Sequence, residues 1–368
     1  MMFSCPHSNL CTACDLLVAH NSNSAREAHW RACLLEAKIP TPSELPILAS
    51  STPRLRCKMD FSIENSNIGL WSSKTQGIVD LPTCELLTPS LQSFYSEFRK
   101  IPFNFSRKAS FRLRIGSDGQ QRGLWLDLAH EDTNNFLSSP DVQEVIDLVG
   151  PSGMVEIGQR LKSLVLGSTG ARAKLGSPVL HRWFETRVNH KMVPLSSYVG
   201  SFTQPSLITQ SWILSHLESW LQEIQPQRVF EFGCGIGNWS LFLLNFANHL
   251  DVTESDRNSL TALKQNLLTY EKGANCRILG SGFFQHQQIL SPDYDLVFLN
   301  PARAGVGRLT QGGQIQSRWL IYVSCYPETL IKDMRPLQET YRLREHALVY
   351  QFPGSSHYEV LTLWERKT

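Results

Sequence analysis

Two short stretches near the C-terminal end carry residue types that could do covalent chemistry. In IYVSCYPETL, residues 321–330, Cys325 follows an apolar run and precedes Tyr326-Pro327. A free cysteine is among the most buried residue types, so a packed thiol competes here with a nucleophile. Placed at the ligand edge of a sheet, the thiol is a plausible nucleophile. In QFPGSSHYEVLTL, residues 351–363, His357 and Glu359 stand just before an apolar strand. A polar loop would look the same, but a group of this kind brought beside Cys325 would serve as a general base.

Two further stretches could hold a cofactor. VFEFGCGIGNWS (229–240) sets Gly233, Gly235 and Gly237 at a strand-to-helix turn. Glycine lets the backbone approach a ligand closely, and the helix N-terminus that follows offers free N–H groups. Glu254 ends the next strand in DVTES, where a carboxylate can accept both hydroxyls of a ribose. Turn and acid together favour a nucleoside cofactor over a tight turn with a solvated glutamate. In DLVFLNPARAG (295–305), Pro301 fixes the chain as it leaves a strand, which lets the Asn300 amide face a crevice. CPHSNLCTAC near the N-terminus adds clustered thiols that suit metal ligation.

These stretches need elements to position them. From residue 201 the rhythm is strand, glycine turn, helix, strand, helix, with SLITQSWILSHLESWLQEI at helical spacing ahead of RVFEF. It predicts a doubly wound α/β sheet that binds its ligand beyond the carboxyl ends of the strands. A helix in PETLIKDMRPLQE and the strands YRLREHALVY and YEVLTLWER complete it. Residues 51–200 read as an α+β platform, with FRLRIGSDGQQRGLWLDL forming a hairpin about GSDG. Residues 1–50 hold the cysteine cluster, a helix-like SAREAHWRACLLEAK and a Pro/Ser-rich linker.

The composition, 42% hydrophobic and 18% charged over 368 residues, belongs to an ordinary globular protein of two or three domains. No apolar run is long enough for a membrane span and no signal-peptide pattern opens the chain, so a cytoplasmic protein without a membrane partner is expected. Nine cysteines there suggest reduced thiols, ligands or catalytic groups instead of a disulfide framework. A net charge of +2 excludes a wholly basic surface. Any nucleic-acid contact would have to use local patches such as 53–58, 98–114 and 158–174, where basic and apolar residues alternate.

Taken together the motifs resemble the S-adenosylmethionine-dependent RNA uracil-5-methyltransferase family over almost the whole chain. FEFGCGIGNWSL is similar to its D-x-F-C-G-x-G-[NG]-[FW] loop, SFTQ to F-x-Q, NPARAG to [DN]-P-[PA]-R-x-G, IYVSCYPETLIKD to its nucleophile motif and FPGSSHYEVLTL to F-P-H-T-x-H-x-E. The resemblance implies a class I (Rossmann-like) methyltransferase domain, contact of Gln204, Gly233, Glu254 and Asn300 with S-adenosylmethionine, Cys325 as nucleophile and Glu359 as base. It also implies a [4Fe-4S] cluster on Cys5, Cys11, Cys14 and Cys84, for which a four-cysteine zinc site is the rival reading. Cys33, Cys57, Cys234 and Cys276 remain as structural thiols. The implied substrate is RNA, with 23S rRNA and an RlmC-type branch expected from Asn300 and HYEVLTL, and the expected state is a monomer. The cysteine triplet starts so early that the small β-barrel domain of some members is expected to be missing.

The chain departs from the family pattern at Tyr326 for Asn, Glu231 for Asp, Pro205-Ser206 for Thr-Asn and Gly354-Ser355 for His-Thr. Two other readings compete. LNPAR is similar to the Asn-Pro-Pro-aromatic motif of amino-group methyltransferases acting on adenine or glutamine, although Arg303 stands where the aromatic belongs. A non-catalytic RNA-binding homologue is the second.

Overall fold

The computed structural model describes residues 3–18, 24–103, 108–128, 133–158, 162–165, 174–279, 290 and 293–367. Most of the basic patch at 158–174, and the middle of that at 98–114, lie outside them.

Among the described residues the strands form two eight-stranded sheets and a separate hairpin. The C-terminal sheet runs, by spatial order, Ile47–Leu48, Tyr341–Val349, Glu359–Arg366, Trp319–Ser324, Leu296–Leu299, Arg228–Phe232, His249–Thr253 and Cys276–Ile278. The strands from Trp319–Ser324 to Cys276–Ile278 are parallel, and the helices Asn238–Leu243 and Arg257–Leu268 form two of the crossovers between them. Two of these strands, Leu296–Leu299 and Trp319–Ser324, are buried at every position and mostly apolar, as strands covered on both faces are. Glu359–Arg366 is antiparallel to Trp319–Ser324, with Ser324 opposite Val360, and to Tyr341–Val349, with Val349 opposite Glu359. That reversal brings the start of the last strand to the same edge as the carboxyl ends of the parallel strands.

The central sheet runs Gly77–Asp80, Asn67–Ser72, Lys58–Glu64, Ala109–Ile115, Arg122–Asp127, Met154–Ile157, Lys162–Val165 and Lys174–Gly176. The expected hairpin is there, with Ser110 opposite Asp127 through Ile115 opposite Arg122. The helix Pro89–Phe98 covers one face, and its Tyr95 and Phe98 stack on Phe61 and Phe111 at ring distances of 4.3 and 4.2 Å. Burial of such aromatic faces adds to the aliphatic packing of this core.

Packing also joins segments that lie on either side of residues 50 and 200. The hairpin His181–Val188 with Lys191–Ser197 buries Phe184, Val188 and Leu195 in one core with Leu214, Trp239 and Leu263 of the C-terminal unit. Trp30 and Leu34 of the helix Ser24–Glu36 are fully buried against Tyr322, Leu330 and Trp364. Local pattern identified the helix but not the hairpin, and which sheet each one covers is a long-range choice.

Candidate active site

A cavity of about 1090 Å³ opens between the two sheets, and Gln204, Gly233, Glu254, Asn300, Cys325 and Glu359 all line it. Most of the chain segments that bring them leave or enter the C-terminal sheet at one edge. The segment carrying Gln204 is instead fixed by the central sheet. Lys58 Nζ donates to Thr203 O at 2.7 Å, and Arg114 donates to Tyr198 O, Val199 O and Thr203 Oγ1. Glu156 accepts from the Val199 and Gly200 N–H groups. Gln204, buried to 7% exposure, is therefore held at the wall by charged side chains from the neighbouring unit.

The glycine loop is closed by backbone approach. Gly233 has φ +75°, and a Cβ there would stand 2.5 Å from Asn300 O, so a side chain is excluded twice over. Asn300 Nδ2 donates to Gly233 O at 3.4 Å. Glu254 accepts from Gly235 N at 2.9 Å through one oxygen and from Ser255 N and Asp256 N at 2.6 and 2.8 Å through the other. Its carboxylate is thus fixed at the cavity wall, where an acceptor pair for a diol is wanted. Below the loop, the departure Glu231 is fully buried and accepts from Ser240 Oγ at 2.6 Å, and its Oε1 has no partner among the described residues. Burial pushes its carboxyl up to about 8.

Cys325 is half-buried at the other end of the cavity. Burial and the Glu359 carboxylate push its thiol up, while the Arg303 guanidinium, which hydrogen-bonds it, pulls the other way. Glu359 is 5% exposed and accepts from Gln351 Nε2. Burial raises it to about 7, against the opposing Gln351 hydrogen bond and the Arg303 charge. A thiol, a carboxyl poised near neutrality and one cation between them can form a covalent bond, remove a proton and balance the charge of either step. His357, by contrast, is exposed at the rim.

Two members of this constellation are not identified by the sequence reading. Arg303 enters it only as an obstacle to the aromatic motif, although its place just after a strand end is a signal that could flag it. Gln351 has no signal beyond preceding Phe352-Pro353. The wall also carries Arg56, Lys58 and Arg112 with Trp125, all from the central sheet or its lead-in. Arg112 is bound to Asp60 and to Gly200 O.

The four expected ligand cysteines converge from two segments. Cys14 feels the charges of Cys84, Cys11 and Cys5, and Cys84 those of Cys5 and Cys11, with Arg56 as the opposing cation. Burial is the main cause that pushes Cys14 up to about 12 and Cys84 to about 11. Among the described residues, however, no group of three or more His, Cys, Asp or Glu side chains is arranged to hold a metal ion. The chain brings these thiols into one neighbourhood without setting them in a coordination shell. Of the other thiols, Cys57 Sγ lies 3.4 Å from Pro205 O and Cys234 is buried under the glycine loop. No helix among the described residues is long and apolar enough to cross a membrane.

Comparison with known proteins agrees with this geometry. The family model for tRNA (uracil-5-)-methyltransferases matches residues 163–367. An uncharacterised RNA methyltransferase of Bdellovibrio bacteriovorus is 35% identical, covering 99% of this chain and 95% of that one. The 23S rRNA (uracil(1939)-C(5))-methyltransferase RlmD of Shewanella baltica is 25% identical over 98% of this chain and 81% of its own length. Among solved structures, the Pyrococcus abyssi tRNA (uracil-54, C5)-methyltransferase in complex with S-adenosyl-L-homocysteine superposes with a TM-score of 0.64 at 16% identity, covering 99% of this chain and 88% of that one. This last likeness fixes the fold, a class I methyltransferase.

Proposed function

The chain belongs to the tRNA (uracil-5-)-methyltransferase family, and from that premise we propose how its own residues methylate C5 of a uridine in RNA. The observation that carries the proposal is the single cavity shared by Cys325, Glu359, Arg303 and the Gly233–Glu254 loop.

S-adenosylmethionine fits the glycine loop, where Gly233 leaves room for close approach, Glu254 offers a fixed acceptor, and Asn300 and Gln204 complete the wall. When bound, it supplies an electrophilic methyl group on a sulfonium. Uracil C5 alone is too weak a nucleophile to take that methyl. Cys325 remedies this as a thiolate, bonding to C6 and pushing the electron pair toward C5. Arg303 offsets the charge of the thiolate before attack. C5 then takes the methyl group, Glu359 accepts the C5 proton, and the returning electron pair expels the Cys325 thiolate. A buried carboxyl near neutrality suits this step, since it is ionised often enough to accept the proton and basic enough to hold it. The base must be unstacked to reach the cavity, at a cost of about a few kcal/mol, and Arg56, Arg112 and Trp125 on its wall are suited to grip the displaced strand.

The amino-group alternative fails on Arg303, which contacts the Cys325 thiol and offers no aromatic face to a target amine. Within the family, the substrate we infer is 23S rRNA and the place of action the cytoplasm. The motifs read as RlmC-type while the named 23S relative is of the RlmD type, so the methylated position decides the branch. We also take Cys5, Cys11, Cys14 and Cys84 to hold an iron–sulfur cluster. Four thiols brought into one neighbourhood from two chain segments are the donor type such a cluster takes, and its contribution would be to tie the N-terminal segment to the central sheet.

The reaction is tested by mass spectrometry of nucleosides from a deletion strain, followed by mapping of the lost methyl group. Loss of 5-methyluridine at one 23S rRNA position is expected. An unchanged content of 5-methyluridine, or loss of a methyladenosine, would overturn the reading.

A further inference from the structure

Cys325 lines a second cavity, of about 380 Å³, on the side away from the glycine loop. Its walls come from the helix Ser24–Glu36 and from the start of the helix Pro327–Met334, so the nucleophile stands between two chambers. The first is committed to the target base and the methyl donor. The second has no part in the steps above, and its volume is in the lower range of small-ligand pockets, enough for one nucleobase.

Its lining suits such an occupant. Tyr326 is 39% exposed and is the residue that departs from the family's Asn. Its backbone is locked on both sides by Ser324 Oγ, which accepts from Tyr326 N and donates to Tyr326 O, each at 3.0 Å. An aromatic ring held at a pocket mouth is a stacking platform for an unpaired base. Glu328 supplies the polar contact. Its Oε1 meets His29 Nε2 at 3.3 Å, and Tyr358 OH lies 2.8 Å from His29 Nδ1, so the carboxylate is oriented by a chain of partners while remaining 48% exposed. Two oxygens with only acceptor capacity attract a base that presents an exocyclic amino group. Uracil has no exocyclic amino group, and its one edge donor, N3–H, is flanked by the O2 and O4 acceptors that the carboxylate repels, so it is disfavoured.

We propose, on the premise of the uracil methylation above, that the Tyr326–Glu328 pocket binds the nucleotide flanking the target uridine and selects an amino-bearing base, adenine, cytosine or guanine, over uracil. The asymmetry follows from geometry: a target held on one side of Cys325 leaves its neighbour to fall on the other. Substrate choice in this chain is then set partly by the residue that follows the nucleophile.

The test uses the full chain with S-adenosylmethionine and a pool of single-stranded RNAs, each with one 5-fluorouridine between randomised flanking nucleotides. Fluorine at C5 cannot leave as a proton does, so attacked RNAs stay joined to Cys325 and can be sequenced. Wild type is expected to deplete uracil at one flank by roughly tenfold, the scale of one hydrogen bond to a charged group. Glu328→Gln adds a donor and should readmit uracil. Tyr326→Asn should flatten the distribution by removing the stack, and Tyr326→Phe should keep it. Even base usage at both flanks in wild type, or a bias that survives both Glu328→Gln and Tyr326→Asn, would overturn the proposal. Absence of any adduct in wild type would instead overturn the methylation reading, and this inference with it.

Discussion

Glu359→Gln is expected to stop turnover and to stabilise the protein, a combination that a structural glutamate would not give. The side chain is 5% exposed, and its carboxyl stands near 7 against an ordinary 4.5, chiefly through burial. Below pH 4.5 both folded and unfolded chains carry the proton and there is no penalty. Between 4.5 and 7 the unfolded chain ionises first, so folding stability falls as pH rises. Above 7 the buried anion costs about 3 kcal/mol relative to a neutral group. The substitution keeps the size of the side chain, and the new amide oxygen can accept from Gln351 Nε2 as the carboxylate does. For a chain of this length the gain is a rise in Tm of about 4 °C at pH 8, shrinking toward zero at pH 4.5. Thermal melts of both proteins across that range measure it. In the reaction, methyl transfer proceeds but the C5 proton stays, so methylated RNA should remain joined to the protein on denaturing gels. A Tm difference that does not grow between pH 4.5 and 7 would refute the buried-carboxyl argument. Normal turnover without an adduct would refute the role of Glu359 as base.

Three other outcomes follow from the same geometry. Cys325→Ala should abolish both methylation and adduct, by about 10⁴-fold or more, while changing stability by less than about 1 kcal/mol because the thiol is only half-buried; residual 5-methyluridine near wild-type levels returns Cys325 to the core. Glu254→Ala removes acceptors for Gly235, Ser255 and Asp256 and should weaken S-adenosylmethionine binding by roughly 10- to 100-fold; an unchanged Kd by calorimetry sinks the cofactor site. Cys84→Ser, prepared without oxygen, should lose the brown chromophore and its iron and sulfide; stoichiometric zinc and no iron in the unaltered protein would sink the cluster.

The sequence alone determined what depends on local pattern. Period and turn chemistry marked the hairpin about GSDG, the helix from Leu207 to Ile224 and the apolar strands, and glycine spacing marked the loop that Gly233 closes. The order of its motifs identified the family, and with it both ends of the cavity. Tertiary structure decided what depends on residues far apart in the chain. Antiparallel pairing of the last strand, and nothing in HYEVLTL, sets Glu359 at the edge where Cys325 emerges. Arg303 and Gln351 acquire their roles only because loops from two strand ends meet there. Lys58 and Arg114 read as members of two basic patches in sequence, yet they are buried and spend their donors holding the loop that carries Gln204. A buried charge must find partners, and which partners is fixed only when two units pack. The raised carboxyl of Glu359 has the same origin, since it comes from desolvation, which no single segment of chain can impose on itself.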